Sequence, residues 1–371
     1  MRRATGVLVL AVVLAVAGGS LAAGAAAHEP GPGPGTVTAP RGMAGYQWKQ
    51  ANLLSDAAAK NRLRLLRDHG VKTVYLEVGD YLEQADLRPS RTRNAQMEAI
   101  RYRIRRFVAI AASYGLAVHA LGGHPRWVGE GSYLGRLLVE LVGDYNARAR
   151  PNERLRGVQL DIEPYVVENW LTDPTRMVVY LTALDGIVKT YRRVLAQPGN
   201  RGLQLGFAIP FWLDGREEAP PAVRFQRRLK PAVHHLVDMI WDLPTAYLVV
   251  MSYRDKADEE NGSIDHARDE LAYAARRWAK CGLLVAQQYG PPAPENEDPE
   301  PLQHTTFHRQ PKEDFWRAAA AITAAFSGYR QFRGLALDGV DDYLAAPDRA
   351  EPEPEAPAAD LLKSGIGAAD Q

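Results

Sequence analysis

The stretch Gly157-Val158-Gln159-Leu160-Asp161-Ile162-Glu163-Pro164-Tyr165 sets two carboxylates two residues apart at the end of an apolar, β-prone run. The proline that follows cannot continue a central strand, so the run reads as a strand ending in a site. Alternation along a strand puts Gln159, Asp161 and Glu163 on one face and Val158, Leu160 and Ile162 on the other. Asp161 and Glu163 are then about 6.6 Å apart along the strand axis. Burying two neighbouring carboxyls is costly unless they are partnered or share a proton. The same cost raises a carboxyl pKa toward neutrality, as acid catalysis requires. The competing use of these residues is a solvated strand end that caps the next helix.

The elements that must hold this strand alternate short apolar runs with longer helical patterns, the signature of βα units around a parallel sheet. Strands are expected from Met43 to Trp48, Val71 to Val78, Leu116 to Gly122, Gly157 to Glu163, Leu203 to Phe211, Ala246 to Met251, Leu283 to Gln288 and Gly334 to Asp338. Helices are expected from Asp56 to His69, Asn94 to Tyr114, around Leu137 to Tyr145, Pro174 to Leu195, Ser263 to Lys280 and Lys312 to Phe326. Pro231 and Pro244 interrupt the pattern before the sixth strand. The sum is an α/β fold, a single-domain (β/α)₈ TIM barrel whose fourth strand carries the carboxylates.

In such a barrel the active site lies at the C-terminal strand ends. The residues expected there are Trp48, Glu77, His119, the loop from Gly123 to Trp127, Asp161, Glu163, Trp212, Tyr253, Gln287, Tyr289 and Asp338. Aromatic faces stack on sugar rings while carboxylates and amides bond hydroxyls, so the mixture suits a carbohydrate; Trp48 and Trp212 would equally serve as hydrophobes closing the barrel top.

Around the barrel, Met1-Arg2-Arg3, the apolar run Val7 to Ala17 and the small residues Ala23 to Ala27 form a signal peptide pattern, with cleavage expected near Ala27 and a secreted, extracellular product. Residues 28–41 are a proline- and glycine-rich linker, 42–347 the barrel and 348–371 a disordered acidic tail. Loss of Arg2 and Arg3 from the 45 basic residues leaves them one short of the 44 acidic ones, so neither nucleic acid nor a membrane anchor is expected as partner. With one cysteine, Cys281, the chain forms no internal disulfide and relies on its core. The expected form is a monomer without a cofactor. His119, His124, His304 and His308 lack metal-ligand spacing, and neither a phosphate loop nor a G-x-S-x-G elbow occurs.

Asp161-Ile162-Glu163 at the end of strand four, with Met251-Ser252-Tyr253 at the end of strand six, resembles the family 18 glycoside hydrolases, the chitinase-like (β/α)₈ enzymes and their secreted relatives. The family ends strand four with D-x-x-D-x-D-x-E and carries Met-x-Tyr on strand six. The resemblance implies Glu163 as general acid, Asp161 as the group that orients a substrate acetamide, and Tyr253 as its second partner. Gln159 stands where the family has its middle aspartate, and Arg156 where it has the first. Gln159 could hydrogen-bond Asp161 but cannot share a proton with it.

The chemistry also stands on its own. In substrate-assisted hydrolysis the sugar's N-acetyl oxygen attacks the anomeric carbon, and the enzyme supplies one acid and one carboxylate. A conventional retaining pair would need a second carboxylate from another strand, Glu77 or Asp338. The expected function is therefore a glycoside hydrolase acting on a polysaccharide or oligosaccharide; the alternative is a barrel that binds carbohydrate without cleaving it.

Overall fold

The computed structural model describes residues 39–40, 42–48, 55–167, 170, 173–215, 222–292 and 304–349. The expected signal peptide, nearly all of the expected linker and the tail from residue 350 lie outside them.

Eight strands hydrogen-bond in parallel into a closed barrel: β1 (Met43–Gln47), β2 (Val71–Glu77), β3 (Ala117–Gly122), β4 (Gly157–Leu160), β5 (Gln204–Pro210), β8 (Ala246–Met251), β9 (Gly282–Gln288) and β10 (Phe332–Asp338). Their order around the barrel is β1-β10-β9-β8-β5-β4-β3-β2. Helices α1 (Asp56–Asp68), α3 (Arg91–Ser113), α4 (Tyr133–Arg148), α5 (Pro174–Leu195), α6 (Ala232–Ile240), α7 (Ser263–Arg276) and α8 (Lys312–Phe326) join successive strands. The outward rows, such as Val74, Leu76, Val158, Leu160, Leu248 and Val250, pack against these helices in one core. The inward rows form a second cluster with Tyr46, Tyr75, Leu121, Tyr247, Val249 and Leu284. Period-two alternation produces both layers at once, because each strand is buried on both faces. Small residues make room for the large ones inside: a Cβ on Gly206 would lie 2.1 Å from the Gln159 side chain and 2.3 Å from the Tyr247 ring.

Local chemistry explains where elements begin. Ser55 Oγ accepts the amide of Ala58 at α1, Ser90 Oγ that of Arg93 at α3, and the Asp173 carboxylate that of Thr175 at α5, where Pro174 takes the first helical position.

Several elements differ from expectation. β4 pairs only through Leu160, and α3 begins at Arg91, not Asn94. Pro231 does not break the helix before the sixth barrel strand but immediately precedes it, where a proline costs no helical hydrogen bond. A hairpin, β6 (Val223–Phe225) and β7 (Arg228–Lys230), turns on Gln226 and Arg227, both with positive φ. Short helices α2 (Gly79–Asp86) and α9 (Val340–Ala345) follow β2 and β10. Asp348, expected in the tail, is tied to the barrel: its side chain pairs with Lys312 at 2.9 Å, and the carbonyls of Pro347 and Asp348 accept the first amides of α8. Among the described residues no helix is long and apolar enough to cross a membrane.

Candidate active site

The fourth strand ends beneath the barrel mouth. Past Leu160 the Asp161 amide still donates to the Gly122 carbonyl at 3.1 Å, which prolongs the strand by one residue beside β3. A Cβ on Gly123 would lie 1.8 Å from the Asp161 carbonyl oxygen, so only glycine permits the approach. Pro164 then starts a 3₁₀ turn, Pro164–Val166, which swings Tyr165 back over the carboxylates. The Tyr165 hydroxyl donates to Glu163 Oε1 at 2.5 Å, and its ring meets Trp212 edge-on at 4.8 Å.

Three carboxylates share this mouth. Burial raises the Asp161 carboxyl well above its ordinary value, and the charges of Glu163 and Asp338 raise it further. Asp161 Oδ1 is buried without a hydrogen bond among the described residues, although the side chain as a whole is only partly covered. Burial likewise raises Glu163, against the lowering effect of the Tyr165 hydroxyl, and Asp338 adds to the rise. Asp338, at the end of β10, accepts from Trp48 Nε1 at 2.9 Å. Trp48 is half exposed and stacks on Tyr46 at 5.8 Å. Tyr253, two residues past β8, has its hydroxyl pushed well up by burial and then by Asp338, Asp161 and Glu163, so it lies in the field of all three.

Asp161, Glu163, Asp338, Tyr253, Trp48 and Trp212 thus line one mouth. Gln159 lies below them, buried, and its amide donates to the Tyr46 hydroxyl at 3.1 Å rather than to Asp161. Glu77 ends β2 with Oε1 accepting the Gly79 amide, and lines a neighbouring cavity of about 780 Å³ above β2 and β3.

Four residues expected at the mouth do other work. His119 points inward as alternation requires, but it sits low in β3, paired with Gly157 at the start of β4, and belongs to the opposite end of the barrel. Gln287 points outward: its amide donates to the Ser252 carbonyl and the Ser263 hydroxyl, both at 3.0 Å, fastening α7 to the barrel. Its neighbour Gln288 takes the inward position. Trp127 is almost fully buried, packs against Gly122 and lines the neighbouring 780 Å³ cavity. Tyr289 is buried too, in an aromatic cluster with Phe307, Phe315 and Tyr343 outside the barrel.

Tyr46, Tyr165 and Tyr180 are not among the residues expected at the site. Tyr46 shares the inward face of β1 with Trp48, so alternation alone could have found it. Tyr180, buried on α5, has its hydroxyl raised by burial and then by Glu163 and Asp161, and no sequence signal marked it. Among the described residues no three His, Cys, Asp or Glu side chains are arranged to hold a metal ion.

No protein-family model matches the chain, and no curated protein matches it. Among solved structures it is similar to a GH18 chitinase from Pseudoalteromonas aurantia, at 12% identity and TM-score 0.42 over 81% of this chain and 97% of that one. It is similar to the spore cortex-lytic enzyme SleL of Bacillus megaterium, at 12% identity and TM-score 0.42 over 82% of this chain and 71% of that one. A D-psicose 3-epimerase aligns at 10% identity and TM-score 0.41 over 82% and 90% of the two chains.

Proposed function

We propose that the barrel mouth binds a secreted enzyme's carbohydrate substrate and cleaves a glycosidic bond, with Glu163 as general acid and Asp161 assisting, in the manner of the chitinase-like family 18 hydrolases. The observation that carries this reading is Asp161 Oδ1, a buried carboxylate oxygen without a hydrogen bond among the described residues, set beside a second carboxyl whose pKa is raised. A buried acceptor without a donor is costly, and a substrate N–H would satisfy it.

In the reaction, the acetamido oxygen of the sugar attacks the anomeric carbon as the bond to the leaving oxygen breaks. Glu163 gives its proton to that oxygen, Asp161 accepts the acetamido N–H and offsets the developing positive charge, and the Tyr253 hydroxyl donates to the acetamido oxygen. Glu163, now ionised, takes a proton from the water that opens the cyclic intermediate and is restored. The half-exposed Trp48 offers a ring face for stacking, with its N–H held by Asp338.

Asp161→Asn and Tyr253→Phe test the assignment. Both should slow cleavage of N-acetylated oligosaccharides far more than of substrates lacking the acetyl group. Equal losses on both substrates would point to a conventional carboxylate pair, with Asp338 as the partner of Glu163.

A second reading, a barrel that binds sugar without turnover, is favoured by one observation. Gln159, in place of the family's middle aspartate, bonds Tyr46 and leaves Asp161 without a proton-sharing neighbour below it.

A further inference from the structure

His119 has no part in the mouth, yet it is an ionisable group on the inner wall, only 2% exposed. With Tyr75 and Tyr247 it lines a cavity of about 180 Å³ at the N-terminal end of the barrel, opposite the carboxylates, beside Thr73, Gln204 and Arg333. His119 Nδ1 and the Tyr247 hydroxyl lie 2.9 Å apart, and the Tyr247 hydroxyl is also hydrogen-bonded to Tyr75. The ring's other nitrogen, Nε2, has no hydrogen bond among the described residues although the ring walls the cavity. Burial pushes the His119 pKa down to about 3, so the imidazole is neutral with a single N–H; in the tautomer in which Nδ1 accepts from the Tyr247 hydroxyl, that N–H lies on Nε2 and is free to donate.

The chemistry of the lining is one-sided. It contains no aspartate or glutamate; Thr73 and Tyr75 bring hydroxyls, Gln204 an amide and Arg333 a guanidinium. Arg333 forms no ion pair among the described residues and makes only a 3.5 Å contact to the Lys280 carbonyl. Donors around a small, open-ended cavity, with a guanidinium that has no acidic partner among the described residues at its rim, suit a small anion with directional acceptor oxygens. The space is too small for a polymer.

We propose that this lower cavity is a binding site for a small organic carboxylate, held by Arg333 at the rim and by the hydroxyl and imidazole donors inside. The site is separate from the barrel mouth and does not depend on what the mouth does.

The test is nitrogen-edited histidine NMR of the full chain, titrated with sodium acetate and sodium lactate and, at equal ionic strength, with sodium chloride. The His119 ring is identified as the one that stays neutral longest as pH is lowered. Its resonances should shift saturably with at least one carboxylate and not with chloride. Arg333→Met, at an exposed position, should weaken that binding about tenfold or more while leaving the free-protein spectrum unchanged. Thr73→Val should weaken it too. A shift shared with chloride, a shift that never saturates, or saturable binding that neither variant alters would overturn the proposal.

Discussion

Burial raises Glu163, and two neighbours then pull it in opposite directions: the Tyr165 hydroxyl favours its ionised form, and the charge of Asp338 favours its protonated form. If Glu163 is the acid, activity falls as pH rises through its pKa, so this limb of the pH–rate profile reports both neighbours. Asp338→Asn should move the limb to lower pH, and Tyr165→Phe should move it higher. A limb that stays in place in both variants would mean that another group supplies the proton. Asp161 has a consequence for stability. Its folded pKa lies above the unfolded value of about 3.9, so the native state binds more protons and stability declines as pH rises from there through the folded pKa. Asp161→Asn has no such decline. Its advantage in melting temperature over the wild type should therefore grow from acid toward neutral pH; a constant difference across that range would contradict the burial of a reluctant charge.

The elements show what period and spacing can reveal. All eight barrel strands were legible because each is an apolar run buried on both faces, and six of the seven joining helices because glycines, serines and prolines mark their ends; α6, behind Pro231, and the short α2 and α9 were not. The hairpin at 223–230 was not, since its turn uses Gln226 and Arg227 at positive φ where asparagine or glycine would have signalled it. Within the strands, alternation placed Asp161, Glu163 and Asp338 on one inward face. It failed for Gln287, where a one-residue register choice exchanges the two faces of β9, and for His119, where the face was right and the height along the strand was not. The approach of β3 to β4 yields a sharper expectation. Gly123→Ala should cost more than about 2 kcal/mol in chemical denaturation and disturb the site, because the Asp161 carbonyl cannot retreat without moving the carboxylate. A near-neutral effect would show that the contact relaxes freely.

At the scale of the molecule, the barrel is closed by a strap rather than by a long final helix. The carbonyls of Pro347 and Asp348 satisfy two amides at the start of α8 that no helical carbonyl can reach, and Asp348 neutralises the buried Lys312. Removal of residues 352–371, poor in the large apolar groups that repay ordering, should leave the melting temperature almost unchanged. Extending the deletion to residue 347 should lower it by several degrees. Equal melting temperatures for both truncations would show that the strap contributes nothing.

The proposed cleavage rests on a proton carried by Glu163, and the most direct measurement compares wild type with Glu163→Gln on a panel of chitin- and cell-wall-derived oligosaccharides, following cleavage and binding together. Glutamine keeps the shape and hydrogen-bonding reach of the side chain but has no acidic proton to give. With Glu163 as the acid, the wild type cleaves, turnover falls about 10²- to 10⁴-fold in the variant, and binding is nearly equal in the two. Binding by both proteins with cleavage by neither would contradict that role and leave a barrel that holds sugar without breaking it.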